Sequence, residues 1–129
     1  MGLCYNNYVK IVSGAFVNAE PELVLKTVFG YDSFRFFQKD IITNVLNGKD
    51  TLAVMPTGGG KSLCYQLPAL ILEGITVVVT PLISLMQDQV DSLKTMGIYS
   101  VFLNSSLSWE EYKSAVSDIK SGEARIVYV

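Results

Sequence analysis

The chain has 129 residues and no histidine. Imidazole catalysis and histidine-ligated metal sites are therefore excluded within it. Cysteine is scarce: Cys4 and Cys64 stand far apart, without metal-ligand spacing, and read as two free thiols rather than a disulfide. No hydrophobic run reaches membrane-spanning length. Positive charge is not in excess, since ten Lys and Arg face twelve Asp and Glu for a net charge of −2. Nothing therefore draws the whole molecule toward nucleic acid, and any such contact must be local. No basic stretch of the signal-peptide kind precedes the apolar run Ile11–Val17, and Asn6 stands where N-myristoylation needs Ser or Thr. These absences predict a cytoplasmic protein with no membrane segment. Internal repeats, low-complexity tracts and linkers are missing too, so at most one small domain is expected.

What is present centres on Met55-Pro-Thr57-Gly58-Gly59-Gly60-Lys61-Ser62. It follows the apolar run Thr51–Met55, an expected strand, and opens into Leu63-Cys-Tyr-Gln-Leu, an expected helix. That is the context in which Gly-Lys-Ser reads as a phosphate-binding loop. Glycines let backbone N–H groups crowd around a phosphate. The helix N-terminus adds unpaired donors and partial positive charge. Lys61, the catalytic candidate, would reach the β- and γ-phosphates of a nucleotide such as ATP, and the Ser62 hydroxyl would sit on Mg²⁺. The general pattern asks for Gly where Met55 stands, so the motif fits a variant in which Gly58 and Gly60 do the turning. A Gly-rich hairpin with a chance Lys-Ser is the plainer alternative.

Around the loop, helices and strands alternate. Pro21 is a good first-turn residue, with Leu23, Val24, Thr27 and Val28 as an apolar stripe and Gly30 as the stop. Asp32 or Ser33 would cap a second helix carrying Phe34, Phe37, Ile41, Val45 and Leu46. The loop helix is expected from Lys61 to about Leu72, with Pro68 as a possible kink. Ile75–Thr80 is continuously β-branched, as in a strand buried on both faces. Thr80-Pro81 predicts a helix start, with Leu82, Leu85, Met86, Val90, Leu93 and Met96 turned inward. A strand over Ile98–Leu103 follows, then the capping box Ser108…Glu111 of a helix reaching about Lys120, then a strand over Arg125–Val129. This order predicts an α/β fold with a mainly parallel sheet flanked by helices. Residues 1–20 carry weak signals and form an uncertain N-terminal segment.

Upstream lies a second constellation, Phe29-Gly-Tyr31…Phe34-Arg35…Gln38. Arg35 and Gln38 are three apart, hence on one helical face. A Gln amide offers both donor and acceptor, which matches the N6/N7 edge of adenine. Tyr31 could stack on the base and Arg35 support the nucleotide from the side. Core aromatics and a solvated Gln are the plainer reading. Further on, Thr80, Pro81 and Ser84 open a helix whose hydroxyls and free N–H groups could seat a phosphate, or simply cap it. Asn104-Ser105-Ser106 sits at a strand's C-terminal end, where α/β sheets bind ligands, and could equally be a polar turn. Asp88 and Asp91 read as a solvated helix face rather than a metal site.

These stretches together, with Val54–Ala69 and Val77–Val90 in order behind the Tyr31–Gln38 constellation, resemble the RecQ family of ATP-dependent DNA helicases in superfamily two. The resemblance covers roughly residues 23–129. It implies a P-loop NTPase (RecA-like) lobe over residues 21–129, incomplete in this chain. It implies the ATP-binding part of a 3'-5' type DNA helicase. Tyr31, Arg35 and Gln38 would read adenine; Thr57, Gly58, Gly59, Gly60, Lys61 and Ser62 would hold the phosphates and Mg²⁺. Thr80, Pro81 and Ser84 would contact the DNA backbone, with Asn104 and Ser105 as further candidates. Phe36-Phe37 departs from the Pro-Gly often found there. The partners implied are single-stranded and junction DNA, and the location nucleoid-associated if bacterial or nuclear if eukaryotic.

The resemblance also implies an Asp-Glu-x-His motif, a second lobe with an arginine finger, and zinc-binding and winged-helix parts, none of which these residues contain. Strands following that motif would lie between the phosphate-loop strand and the strand before Thr80. The 129 residues are thus expected to bind nucleotide weakly, not to hydrolyse it, and to need the rest of a helicase chain to complete the sheet. A natively short nucleotide- or DNA-binding module is the alternative, and an unrelated P-loop kinase or GTPase is disfavoured by Met55 and Gln38.

Overall fold

The structure is a computed structural model that describes residues 16–129. Most of the uncertain N-terminal segment lies outside them, as do the readings made on Cys4, Asn6 and most of 11–17. Two compact units are formed, Phe16–Glu73 and one built on Gly74–Val129.

The first unit is helical. α1 (Pro21–Phe29) has Pro at its first position and ends on Gly30, whose φ of 73° is the left-handed turn that glycine allows. α2 (Gln38–Leu46) and α1 both pack on α3 (Leu63–Ile71). α3 buries Leu63, Cys64, Gln66, Leu67, Pro68, Ala69, Leu70 and Ile71, so it is the core of this unit. Pro68 lies inside α3 without ending it, and its carbonyl accepts from Leu72 N–H at 2.8 Å. An exposed ion pair, Lys39 Nζ to Glu22 at 2.6 Å, joins α1 to α2.

Three expectations fail here. α2 starts at Gln38, with Phe37 rather than Asp32 or Ser33 at its cap position. Phe36 just before it takes a left-handed φ of 46°, which no helix can run through. The inner face of α2 is therefore Gln38 and Ile42, while Phe36 and Phe37 are exposed. The loop helix begins at Leu63, two residues later than expected. Thr51–Met55 forms no strand. A strand is held by a ladder to a neighbour, and no described strand pairs with it. Leu52 and Val54 stand 95% and 92% exposed.

The second unit is a three-stranded parallel sheet in the order β1-β3-β2, with two helices. β1 (Thr76–Val78), β2 (Ser100–Phe102) and β3 (Ile126–Tyr128) align Val78 and Phe102 on either side of Tyr128. The central strand β3 is buried throughout. β1, expected to be buried on both faces, is not: it sits at one side of the sheet, with Val77 60% and Val79 81% exposed. Burial on both faces belongs to the strand with neighbours on each side.

α4 (Ile83–Thr95) buries Met86 and Leu93 and packs on β2. It begins after Thr80-Pro81 rather than on it, so Leu82 and Leu85 stay exposed. α5 (Trp109–Ser121) forms as the sequence predicts. Ser108 accepts from Glu111 N–H at 3.2 Å while the Glu111 carboxylate accepts from Ser108 N–H at 2.8 Å, and Gly122 closes the helix with φ 76°. Ala115 of α5 joins Val101, Ala124 and Val127 in the core, with Leu103 and Ile119 packed against it.

Candidate functional site

The loop before α3 turns through two left-handed glycines, Gly58 at φ 78° and Gly60 at φ 77°. Between them Gly59 N–H donates to the Pro56 carbonyl at 2.9 Å. A Cβ on Gly59 would come within 2.9 Å of that carbonyl oxygen, so the turn is too tight for a side chain. Gly60 is crowded from outside the loop: a Cβ there would collide with the Gln38 side-chain amide.

That collision marks the central feature of the site. Gln38 Nε2 donates to the Gly60 carbonyl at 3.1 Å, and Gln38 Oε1 accepts from Arg35 N–H at 2.8 Å. The side chain is 3% exposed. One amide thus fastens the start of α2 to the phosphate loop, 22 residues later. It keeps one N–H and one oxygen lone pair beyond these two bonds, the pair of groups an adenine edge requires. Arg35 is not on a helical face with Gln38, as its spacing suggested, since it precedes α2. The structure instead joins the two through the Arg35 backbone. The Arg35 guanidinium lies over the Tyr31 ring at 5.9 Å from its centroid, and Tyr31 is half exposed. Tyr31, Arg35, Gln38 and Gly60 are therefore one connected group.

Lys61 and Thr57 are exposed beside the glycines. Ser62 holds the N-cap position of α3 in helical conformation (φ −59°, ψ −39°), and its hydroxyl caps no backbone N–H. A hydroxyl not used for capping is available as an oxygen ligand, and Mg²⁺ on a nucleotide takes only one or two protein oxygens besides phosphates and water. Ser62 fits that role. Among the described residues no group of three or more Cys, Asp or Glu could hold a metal by itself. Cys64 lies behind the loop, its thiol 3.8 Å from the Gly60 carbonyl and 3.9 Å from Met55 Sδ. Burial pushes its pKa up, so it is a packing thiol rather than a nucleophile.

In the second unit, Thr80 and Asn104 each follow a parallel strand by two residues, on the same end of the sheet. β1 and β2 flank β3, so the two positions are separated by roughly 10 Å, twice the strand spacing. Thr80 N–H donates to the Val129 carbonyl at 3.0 Å, and its hydroxyl accepts weakly from Leu82 N–H at 3.4 Å. Pro81 and Ser84 are exposed at the head of α4, and Ser105 is exposed after β2. Asn104 Oδ1 accepts from Ser106 N–H at 2.9 Å and from its hydroxyl at 2.5 Å, while Nδ2 meets Met86 Sδ at 3.5 Å. Asn104 is thus committed to shaping its own turn. Ser105 and Ser84 keep the exposed hydroxyls.

The sequence carried no direct sign of the Gln38–Gly60 bond, because contacts over that separation leave no periodicity.

A family model described as DEAD/DEAH box helicase matches residues 35–129. The chain is 54% identical over 106 residues to the ATP-dependent DNA helicase RecQ of Haemophilus influenzae, covering 82% of this chain and 17% of that protein. It is 45% identical over 107 residues to the RecQ helicase of Bacillus subtilis, covering 82% and 18%. With the ATP-dependent DNA helicase Q5 of Rattus norvegicus it shares 52% over 103 residues, 78% of this chain and 11% of that protein. The chain thus spans less than a fifth of the length of each. The similarity bears out the RecQ resemblance and assigns the helices and parallel strands to part of a RecA-like P-loop fold. The matched span takes in Arg35, Gln38, the glycine loop and the whole parallel sheet, and by it the chain belongs to the DEAD/DEAH box helicase family.

Proposed function

We propose that these residues are the ATP-binding part of a RecQ-like, 3'-5' type DNA helicase. The observation that carries this reading is the Gln38 side chain bonded to the Gly60 carbonyl. It ties the group suited to an adenine edge to the loop suited to phosphates, so base and triphosphate would be felt by one connected structure. Tyr31 and Arg35 would flank the base. Backbone N–H groups of residues 57–62 would surround the phosphates, Lys61 would neutralise the β- and γ-phosphates, and Ser62 would hold Mg²⁺. The Mg²⁺ held by Ser62 would supply positive charge against the phosphates.

DNA would be the macromolecular partner, as it is by name for the related DNA helicases. Thr80, Pro81, Ser84 and Ser105 would meet its backbone through hydroxyls and helix-terminal N–H groups, with Asn104 holding the turn that presents Ser105, which suits a chain with no net positive charge. Further helicase sequence would complete the sheet beside β1, where Val77 is exposed. Such a protein would work in the cytoplasm, on the nucleoid, or in the nucleus.

The reading is tested by Lys61→Ala in a longer protein that contains this chain. ATP-driven unwinding should vanish while folding persists. Unwinding that survives would refute the role given to Lys61.

A further inference from the structure

The outer face of α5 carries the chain's one tryptophan, 65% exposed, with Tyr112 41% exposed beside it. Their ring centroids are 5.8 Å apart and their planes differ by 10°. Lys113 Nζ stands 5.5 Å from the centre of the Trp109 ring. With Val116, Ser117 and Lys120 these residues line a shallow cavity of about 450 Å³. Spacings of three and four put all six on one side of the helix. α5 joins the core through Ala115 and Ile119, while Trp109, Lys113, Ser117 and Lys120 stand exposed.

We propose that this face docks an acidic protein segment carrying apolar anchor side chains. Charge is the first argument. The cavity lining holds Lys113 and Lys120 and no carboxylate, in a chain whose net charge is −2, and the exposed Glu110 borders the face one turn before Lys113. Two of the nearby acids are engaged away from it: Glu111 caps Ser108 and Asp118 accepts from the Tyr99 hydroxyl at 2.7 Å. The second argument is the chemistry of the surface. Exposed Trp and Tyr dominate the energetics of protein interfaces, and a cavity of this size accepts one or two apolar side chains. The Lys stems extend that apolar surface while their ammonium groups stay available to carboxylates. A nucleic-acid strand fits less well. A base stacking on Trp109 would have to displace Lys113 from the ring, whereas a carboxylate meets Lys113 where it stands.

Trp109 reports on the test, being the only tryptophan of the 129-residue chain. A synthetic peptide alternating Asp or Glu with Leu and Phe is titrated against its emission, beside a Lys-substituted counterpart and an oligo-dT strand. The acidic peptide should shift the emission to the blue, saturably, and bind less well as salt is added. Lys113→Glu with Lys120→Glu should weaken it about tenfold or more, with helix content unchanged by circular dichroism. A second arm needs no tryptophan signal: a photocrosslinker on Ser117→Cys, in a longer protein containing this chain, should capture the acidic peptide and not the basic one. Equal response to both peptides, no response to the acidic one, or tighter binding of oligo-dT would overturn the proposal.

Discussion

The Gln38 amide and the Gly60 carbonyl lie 3.1 Å apart, with a left-handed glycine where a Cβ would strike that amide. This pairing separates two glycines that look equivalent. Gly58 and Gly60 share nearly the same φ, but a Cβ on Gly58 meets nothing within 4 Å. Gly58→Ala should therefore cost about 1–2 kcal/mol, the left-handed strain alone. Gly60→Ala should cost more, since it also displaces Gln38. In a Gln38→Ala background that excess should disappear. Urea unfolding of the four variants measures it, and equal costs for both glycines in wild type would contradict the close approach.

Ser108→Ala should lower stability by about 1 kcal/mol, the usual worth of an N-cap, because Ser108 and Glu111 satisfy each other's backbone N–H groups. Thermal unfolding followed at 222 nm checks this. Ser106→Ala should have a smaller effect, since Ser106 keeps its backbone bond to Asn104.

Tyr99 supplies a test in pH. Its phenol is pushed up to about 12 from an ordinary 10.0, chiefly because its O–H donates to Asp118, and then by burial and the neighbouring negative charge. The neutral form is the one the fold favours. The stabilisation is complete below about pH 10 and fades as pH rises through about 12. Ultraviolet titration should include the late ionisation of Tyr99, and Tyr99→Phe should remove one phenol from the late-titrating absorbance. Asp118→Asn should bring the step toward its ordinary value. A late-titrating absorbance unchanged by Tyr99→Phe would contradict the shift assigned to Tyr99.

Turnover by the 129 residues alone should be negligible, with or without DNA. Phosphoryl transfer in these folds depends on positioned charges, and an arginine finger alone is worth about 10³–10⁵ in rate. Robust DNA-stimulated ATPase activity of the isolated chain, sensitive to Lys61→Ala, would contradict this.

Local chemistry is legible in the sequence. The Ser108–Glu111 box, the Gly30 and Gly122 stops and the order of helices and strands are all encoded within a few residues. What depended on distant partners was read less well. Thr51–Met55 has the composition of a strand, yet no described strand lies beside it. Ile75–Thr80 looks doubly buried because β-branched residues report strand propensity and not which place in the sheet the strand will take. Phe34 and Phe37 suggested a helical stripe, but a left-handed Phe36 shifted the helix onward and gave the inner face to Gln38 and Ile42. The site was legible as two motifs. Their bond to each other was not.

The most direct measurement is equilibrium binding of ATP and GTP to the wild-type chain and to Gln38→Ala. The uncommitted donor and acceptor of Gln38 match adenine and not guanine, so wild type should prefer ATP by about tenfold. Gln38→Ala should bind ATP more weakly and lose the preference. Equal affinity for the two nucleotides, unchanged by Gln38→Ala, would contradict the account.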